Sequence, residues 1–239
     1  MTPRDYLFLP PPDADSRLAY GAGPLQWGEV RTPKGAGPHP LLVVIHGGFW
    51  RNTLDLSHMG RLCAALAAHG IATFNIAYRR MGDDGGGWPG TFDDVRQAAA
   101  FARRRWERVG ALGFSAGGHL ALRLAGECEW LSGVVGLGPV ADLVRAWELR
   151  LSNGVVGEFI GGRLEELSAA CPMSHRPRTR VEIVHGTADD VAPVELSRRY
   201  AGVHPCTLAE VEGANHFDVL NPESTAWPAV SAAARRAVA

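Results

Sequence analysis

Three residue types that together perform acyl transfer recur in this 239-residue chain with recognisable spacing. Gly113-Phe114-Ser115-Ala116-Gly117 matches G-x-S-x-G, and Gly118 extends it. An apolar run precedes Ser115 and the helix-forming stretch HLALRLAG follows it, the strand–turn–helix context of an exposed nucleophilic serine. The flanking glycines allow a tight turn in which a side chain two positions away would meet neighbouring backbone. The turn is not a nucleotide loop, because GFSAGG lacks both G-x-G-x-x-G and a terminal GK[ST].

A serine nucleophile needs a base, and the base needs an orienting acid. In the order Ser…Asp…His, only His204 and His216 follow the acid candidates among the nine histidines. His204 precedes the predicted strand Cys206–Val211, at the amino edge of a sheet. His216 follows that strand in GANHFD, at the carboxyl edge with Ser115, and is the expected base. Asp189 and Asp190 both follow the predicted strand Val181–His185. Asp189, three residues after Gly186, is favoured; Asp190 is the alternative acid or a cap for the next helix. Upstream, His46-Gly47-Gly48-Phe49-Trp50 follows another strand. There the backbone N–H groups of Gly48 and Phe49, with that of Ala116, are the expected oxyanion donors. His46 is read as structural, its ring hydrogen-bonding the loop. Trp50, Trp88 and Phe217 are the expected substrate-pocket residues, each with packing as the alternative; Phe49 and Trp147 carry the same ambiguity.

The elements that position these residues are legible from periodicity. Strands are predicted at Leu25–Thr32, Leu41–Ile45, Ile71–Tyr78, Val109–Phe114, Gly133–Leu137, Val181–His185 and Cys206–Val211. Helices are predicted at Leu56–His69, Phe92–Trp106, Ala116–Glu127, Pro193–Tyr200 and Pro222–Val238. This alternation predicts an α/β fold, a mostly parallel central sheet with helices on both faces, in a single domain over 1–239. The segment Pro139–Arg180 breaks the rhythm with short helices near Asp142–Leu151 and Val155–Ile160. It is expected to be a small cap over the sheet's carboxyl edge. Pro10–Pro12 reads as a loop or tail.

Composition excludes several classes. Hydrophobic residues are 46% and charged residues 21%, values of a globular chain. The net charge of −1 gives no footprint for nucleic acid or an anionic membrane. Lys34 is the only lysine among 24 basic residues, a composition bias without functional meaning. No apolar run reaches a membrane-spanning length, and no signal peptide is visible, so a cytoplasmic location is expected. Cys63, Cys128, Cys171 and Cys206 are scattered, which argues against a disulfide framework or a zinc site. No metal and no cofactor is expected; the partner is a small-molecule ester or amide substrate, and homodimer formation is left open.

Taken together, HGGFW, GFSAGG, HGTADDVAP and GANHF in this order resemble the α/β-hydrolase superfamily from Leu41 to Val238. The HGG-aromatic-Trp form with GFSAGGHLA is most similar to the small-esterase branch that holds serine-type kynurenine formamidases and carboxylesterases. The resemblance implies an α/β-hydrolase fold with a short cap insertion, and a triad of Ser115, Asp189 and His216 working without a metal. It implies hydrolysis of carboxylic esters or activated amides through an acyl-enzyme. Arylformamidase action on N-formylkynurenine is the narrower alternative, and an inactive binding module on the same fold is the rival class. The third glycine of the usual HGGG is Phe49 here, and the portion before the sheet is short, which disfavours bulky lipid substrates.

Overall fold

A computed structural model describes residues 3–239. Eight strands form one sheet in the order β1-β2-β4-β3-β5-β6-β7-β8. They are β1 (Ser16–Ala19), β2 (Trp27–Arg31), β3 (Leu41–Ile45), β4 (Ala72–Ile76), β5 (Val109–Phe114), β6 (Val134–Leu137), β7 (Val181–Gly186) and β8 (Thr207–Val211). β1 and β2 pair antiparallel at one edge, and every pairing from β4 to β8 is parallel. The parallel register aligns Ile45 with Gly113 and Phe114 with Leu137, so the carboxyl ends of β3, β5 and β6 open on one rim.

Helices cover both faces, and strand periodicity explains how. All five residues of β3 are fully buried. Leu41, Val43 and Ile45 enter one core and Leu42 and Val44 the other, as alternate side chains of a doubly covered strand must. The first core holds α2 (Gly90–Arg103), α3 (Ala116–Ala125) and the buried side of α7 (Glu195–Val203). The second holds α1 (Gly60–Ala68) and α8 (Trp227–Ala237).

Some expectations need correction. β1 and a short 3-10 helix, Pro3–Phe8, were not predicted. β1 leaves Ser16, Arg17 and Ala19 exposed, so its apolar signal is weak. The Pro-rich opening is tied to the body: Arg31 Nη2 donates to the Pro12 carbonyl at 2.7 Å, and Tyr6 and Leu7 are buried. The predicted helix Leu56–His69 starts as a 3-10 turn, Leu56–Met59, capped by Asp55, which accepts from Ser57 N at 2.9 Å.

Residues 139–180 fold into α4 (Leu143–Glu148), α5 (Leu151–Phe159) and α6 (Leu167–Ala170). α5 opens on left-handed backbone at Ser152, Asn153 and Gly154 (φ 45°, 61° and 83°), so regular helix starts at Val155, where the sequence places it. This segment is stitched down. Arg123 Nε donates to Ala169 O at 2.8 Å, Arg51 Nη1 to Ser152 Oγ at 2.9 Å, and Arg51 is paired with Glu158 at 2.9 Å.

Candidate active site

Ser115 sits between the last residue of β5 and the first of α3, with φ 54° and ψ −117°. A non-glycine residue in that region carries strain of about 1–3 kcal/mol and persists only when its surroundings hold it. They do: Ser115 N donates to Leu137 O at 2.8 Å, and Ser115 O accepts from His119 N at 3.0 Å. The two flanking glycines are required by close approach. A Cβ on Gly113 would overlap the Gly117 carbonyl, and one on Gly117 would overlap the carbonyls of Ile45 and His46. The elbow is thereby pressed against the end of β3, where the HGG loop begins.

That loop turns through three successive left-handed residues, Gly48, Phe49 and Trp50 (φ 114°, 52° and 58°). Arg51 N closes the turn on Gly48 O at 3.0 Å. Among the described residues, neither the Gly48 nor the Phe49 N–H is donated to another backbone group. Ala116, first in α3, has an N–H without an intrahelical acceptor. The three expected oxyanion donors thus flank Ser115 with their hydrogens uncommitted, at the positive end of a helix.

His46 does what the sequence suggests: its Nδ1–H donates to Gly47 O at 2.8 Å, and its ring stacks on Tyr78 at 4.3 Å. Tyr78 in turn donates its hydroxyl hydrogen to His46 O at 2.6 Å. Burial keeps this ring neutral, holding its pKa well below the usual histidine value. The same cause lowers His58 and His119 to about 4. Neutral burial has a sign: the unfolded chain binds more protons than the fold between pH about 6.5 and 4, so stability is present above that window and lost through it. Unfolding by urea at pH 7 and at pH 4.5 should therefore show a midpoint falling steeply, by an amount equivalent to a few kcal/mol.

The acid and base arrive on the loops after β7 and β8. His216 Nδ1–H donates to Asp189 Oδ2 at 2.6 Å. Asp189 Oδ1 accepts from Val191 N at 3.0 Å and Ala192 N at 2.8 Å. It is Asp189, not Asp190, that meets the ring. Nor does Asp190 cap the following helix, which starts at Glu195 without a side-chain cap.

His185, next to last in β7, is a participant that sequence reasoning misses although it stands in HGTADD. Its Nε2 lies 3.1 Å from Asp189 Oδ2 and 2.8 Å from Ala192 O. Both are acceptors, so this nitrogen carries the proton, and Nδ1 accepts the Ser197 hydroxyl at 2.7 Å. Two histidines therefore share one carboxylate oxygen. Burial alone would raise the Asp189 pKa. The hydrogen bonds from His185 and His216 outweigh it and hold the carboxyl well below its usual range. His185→Ala removes a donor from Asp189 and leaves more negative charge facing His216. The Asp189 carboxyl should then titrate closer to its ordinary value than in wild type, as followed by ¹³C NMR of the side-chain carboxyl.

Ser115 and His216 both line one cavity of about 530 Å³. Ser115 is not hydrogen-bonded to the ring; such contacts often tighten only when substrate is bound. Gly48, Phe49, Leu54 and Phe217 share the wall, and Leu7 reaches it from the amino-terminal turn. Of the expected pocket aromatics, the structure places Phe49 and Phe217 there. Trp50 is fully buried instead, stacked on Phe159 at 4.4 Å with its Nε1–H donated to His119 Nδ1 at 3.1 Å. Trp88 is packed on Phe92 and donates to Glu166 Oε2 at 3.1 Å. Trp147 lies against Gly157 of α5. Trp50 and Trp88 thus anchor loops and Trp147 is exposed on α4; none of the three lines the cavity. No wall residue comes from 139–180, so the expected cap does not roof this cavity.

Among solved structures, a truncated carbohydrate esterase from gut microbiota matches with a TM-score of 0.76 at 18% identity, covering 96% of this chain and 100% of that one. Esterase 2 of the planctomycete Thermogutta terrifontis, phosphonylated by sarin, matches at 0.76 and 21% identity, covering 93% and 94%. The chain has the α/β-hydrolase fold. Within it, a family profile described as BD-FAE matches residues 30–130, the stretch that carries the HGG loop and the nucleophile turn. Esterase LipC of Mycobacterium tuberculosis (strain ATCC 25618 / H37Rv) is 29% identical over 253 residues. The alignment takes in 87% of this chain but 61% of LipC's length. No helix among the described residues is long and apolar enough to cross a membrane.

Proposed function

We propose that this chain is a serine esterase that hydrolyses carboxylic esters of small substrates. One observation carries the reading: Ser115 at a strained strand–helix turn shares a cavity with His216, whose far nitrogen is bonded to Asp189. With Nδ1–H committed to Asp189, the Nε2 of His216 is the free base, able to take the Ser115 proton. Ser115 Oγ then attacks the ester carbonyl, and its oxygen becomes an anion facing the Gly48, Phe49 and Ala116 amides. His216 returns the proton to the leaving alkoxide. In the second half, His216 takes a proton from water, hydroxide adds to the acyl carbon, and Ser115 leaves reprotonated.

The similarity to esterase LipC and to several esterase structures supports the ester preference. One neighbour, esterase 2 of Thermogutta terrifontis, is also described with propionate bound, which favours a short acyl group as the first choice. Amide cleavage, including formyl transfer from N-formylkynurenine, uses the same steps with a poorer leaving group. A panel of p-nitrophenyl acyl esters from acetate to decanoate, run beside formanilides and N-formylkynurenine, tests the reading. Higher kcat/KM on short esters supports it; turnover of the formamides alone replaces it with the narrower activity, and no turnover overturns both.

A further inference from the structure

The wall of the catalytic cavity is apolar apart from a few groups, and their commitments differ. Asn215 is spent within its own turn: its Nδ2 and backbone N donate to Asp218 Oδ2 at 2.6 and 2.8 Å, and its Oδ1 accepts from Phe217 N at 2.9 Å. His216 and Ser115 belong to the chemistry. Asp190 is different. It lines the cavity, is solvent-exposed, and has no hydrogen-bond or ion-pair partner among the described residues. Its neighbour Asp189 is matched by two histidines and two backbone N–H groups, so the Asp190 charge is the unbalanced one. Among the described residues no lysine or arginine lines the cavity, although the chain has 24 basic residues.

The rest of the wall suits a cation as well. Phe49 and Phe217 are partly exposed there, and Phe114 lies beneath them, 6.4 Å from Phe217 between ring centroids. Ring faces next to a carboxylate attract an alkylated ammonium, which sheds its weak hydration at small cost. An anionic group away from the oxyanion amides would meet repulsion from Asp190, with no lysine or arginine among the described wall residues to offset it.

We propose that the site prefers esters bearing a positively charged group, held between the Asp190 carboxylate and the rings of Phe49 and Phe217. The inference rests on the esterase reading above and narrows its substrate class. Asp190 would act here as a specificity residue, with no part in proton transfer.

Two matched pairs of substrates test it. Butyrylthiocholine is compared with S-(3,3-dimethylbutyl) thiobutyrate, its uncharged isostere. The p-nitrophenyl ester of 4-(trimethylammonio)butanoate is compared with that of 5,5-dimethylhexanoate, so the charge is tried on the leaving and the acyl side. The readout is the cation-to-neutral ratio of kcat/KM at low salt, in wild type and in Asp190→Asn. Because an exposed carboxylate is screened by salt, the ratio in wild type should also shrink in 0.5 M NaCl. In at least one pair the ratio should fall about three- to tenfold on Asp190→Asn. Ratios unmoved by the substitution in both pairs, with the neutral esters still turned over, overturn this proposal and leave the esterase reading standing. No turnover of any of the four esters removes both. Circular dichroism of the variant checks that the fold is kept.

Discussion

Ser115→Ala is expected to lower kcat on a p-nitrophenyl ester by about 10⁵-fold or more, the loss that follows removal of a triad nucleophile. What remains is the modest acceleration from the oxyanion amides and from binding. The thermal midpoint should stay within a few degrees of wild type. The Ser115 side chain makes no hydrogen bond that the fold depends on; the bonds that hold the turn come from its backbone. Relief of nothing but an Oγ leaves φ at 54° in place, so the variant keeps the same strain. Activity and stability thus separate cleanly: steady-state kinetics collapses while unfolding by circular dichroism does not. A variant retaining more than a hundredth of wild-type kcat would mean that another group attacks.

Asp189→Asn should come close to the same loss, about 10³- to 10⁴-fold in kcat, for a reason that can be traced atom by atom. Oδ1 of Asp189 accepts from two backbone N–H groups, so the asparagine carbonyl oxygen takes that position. The amide nitrogen must then occupy the place of Oδ2, against His216 Nδ1 and His185 Nε2. A donor there forces His216 to accept at Nδ1 and to carry its proton on Nε2, the tautomer that cannot deprotonate Ser115. It also faces the Nε2–H of His185, which loses its acceptor on that side. The histidine tautomers are readable from ¹⁵N chemical shifts, with wild type protonated on Nδ1 of His216 and the variant on Nε2. Full activity in Asp189→Asn would leave the carboxylate without a role in orienting the base.

The parts of the fold that position the site were readable from the chain because local rules and burial agree there. The β-branched run Leu41–Ile45 is buried on both faces, so its pattern is unbroken and its boundaries match the strand. Val109–Phe114 and the helix after Ser115 are equally plain, since a strand ending in G-x-S-x-G has one economical turn available. Asp189 and His216 follow from chain order and from the carboxyl ends of two parallel strands, a purely topological inference. What escaped depends on tertiary contacts. β1 is short, mostly exposed and recruited by pairing with β2, so its residues carry no alternation worth reading. The tryptophans mislead because a large aromatic beside a loop serves either as a wall or as an anchor. Trp50 became an anchor because His119, on α3 and 69 residues further along the chain, offers an acceptor for its N–H. Leu7 contributes to the catalytic cavity from more than a hundred positions away from Ser115, and nothing in its local sequence signals that. His185 was visible in the motif, but its role depends on the path of the loop that brings Asp189 and Ala192 back over β7.

The most direct test of an activated nucleophile is labelling of the intact protein with a fluorophosphonate, followed by peptide mapping in a mass spectrometer. The reagent reacts quickly with a serine whose proton is drawn off by a neighbouring base, and slowly with ordinary hydroxyls. One adduct per chain is expected, on the peptide containing Ser115, absent from Ser115→Ala and strongly slowed in His216→Ala. Absence of labelling, or an adduct on some other residue, would contradict the assignment of Ser115 as the group that attacks.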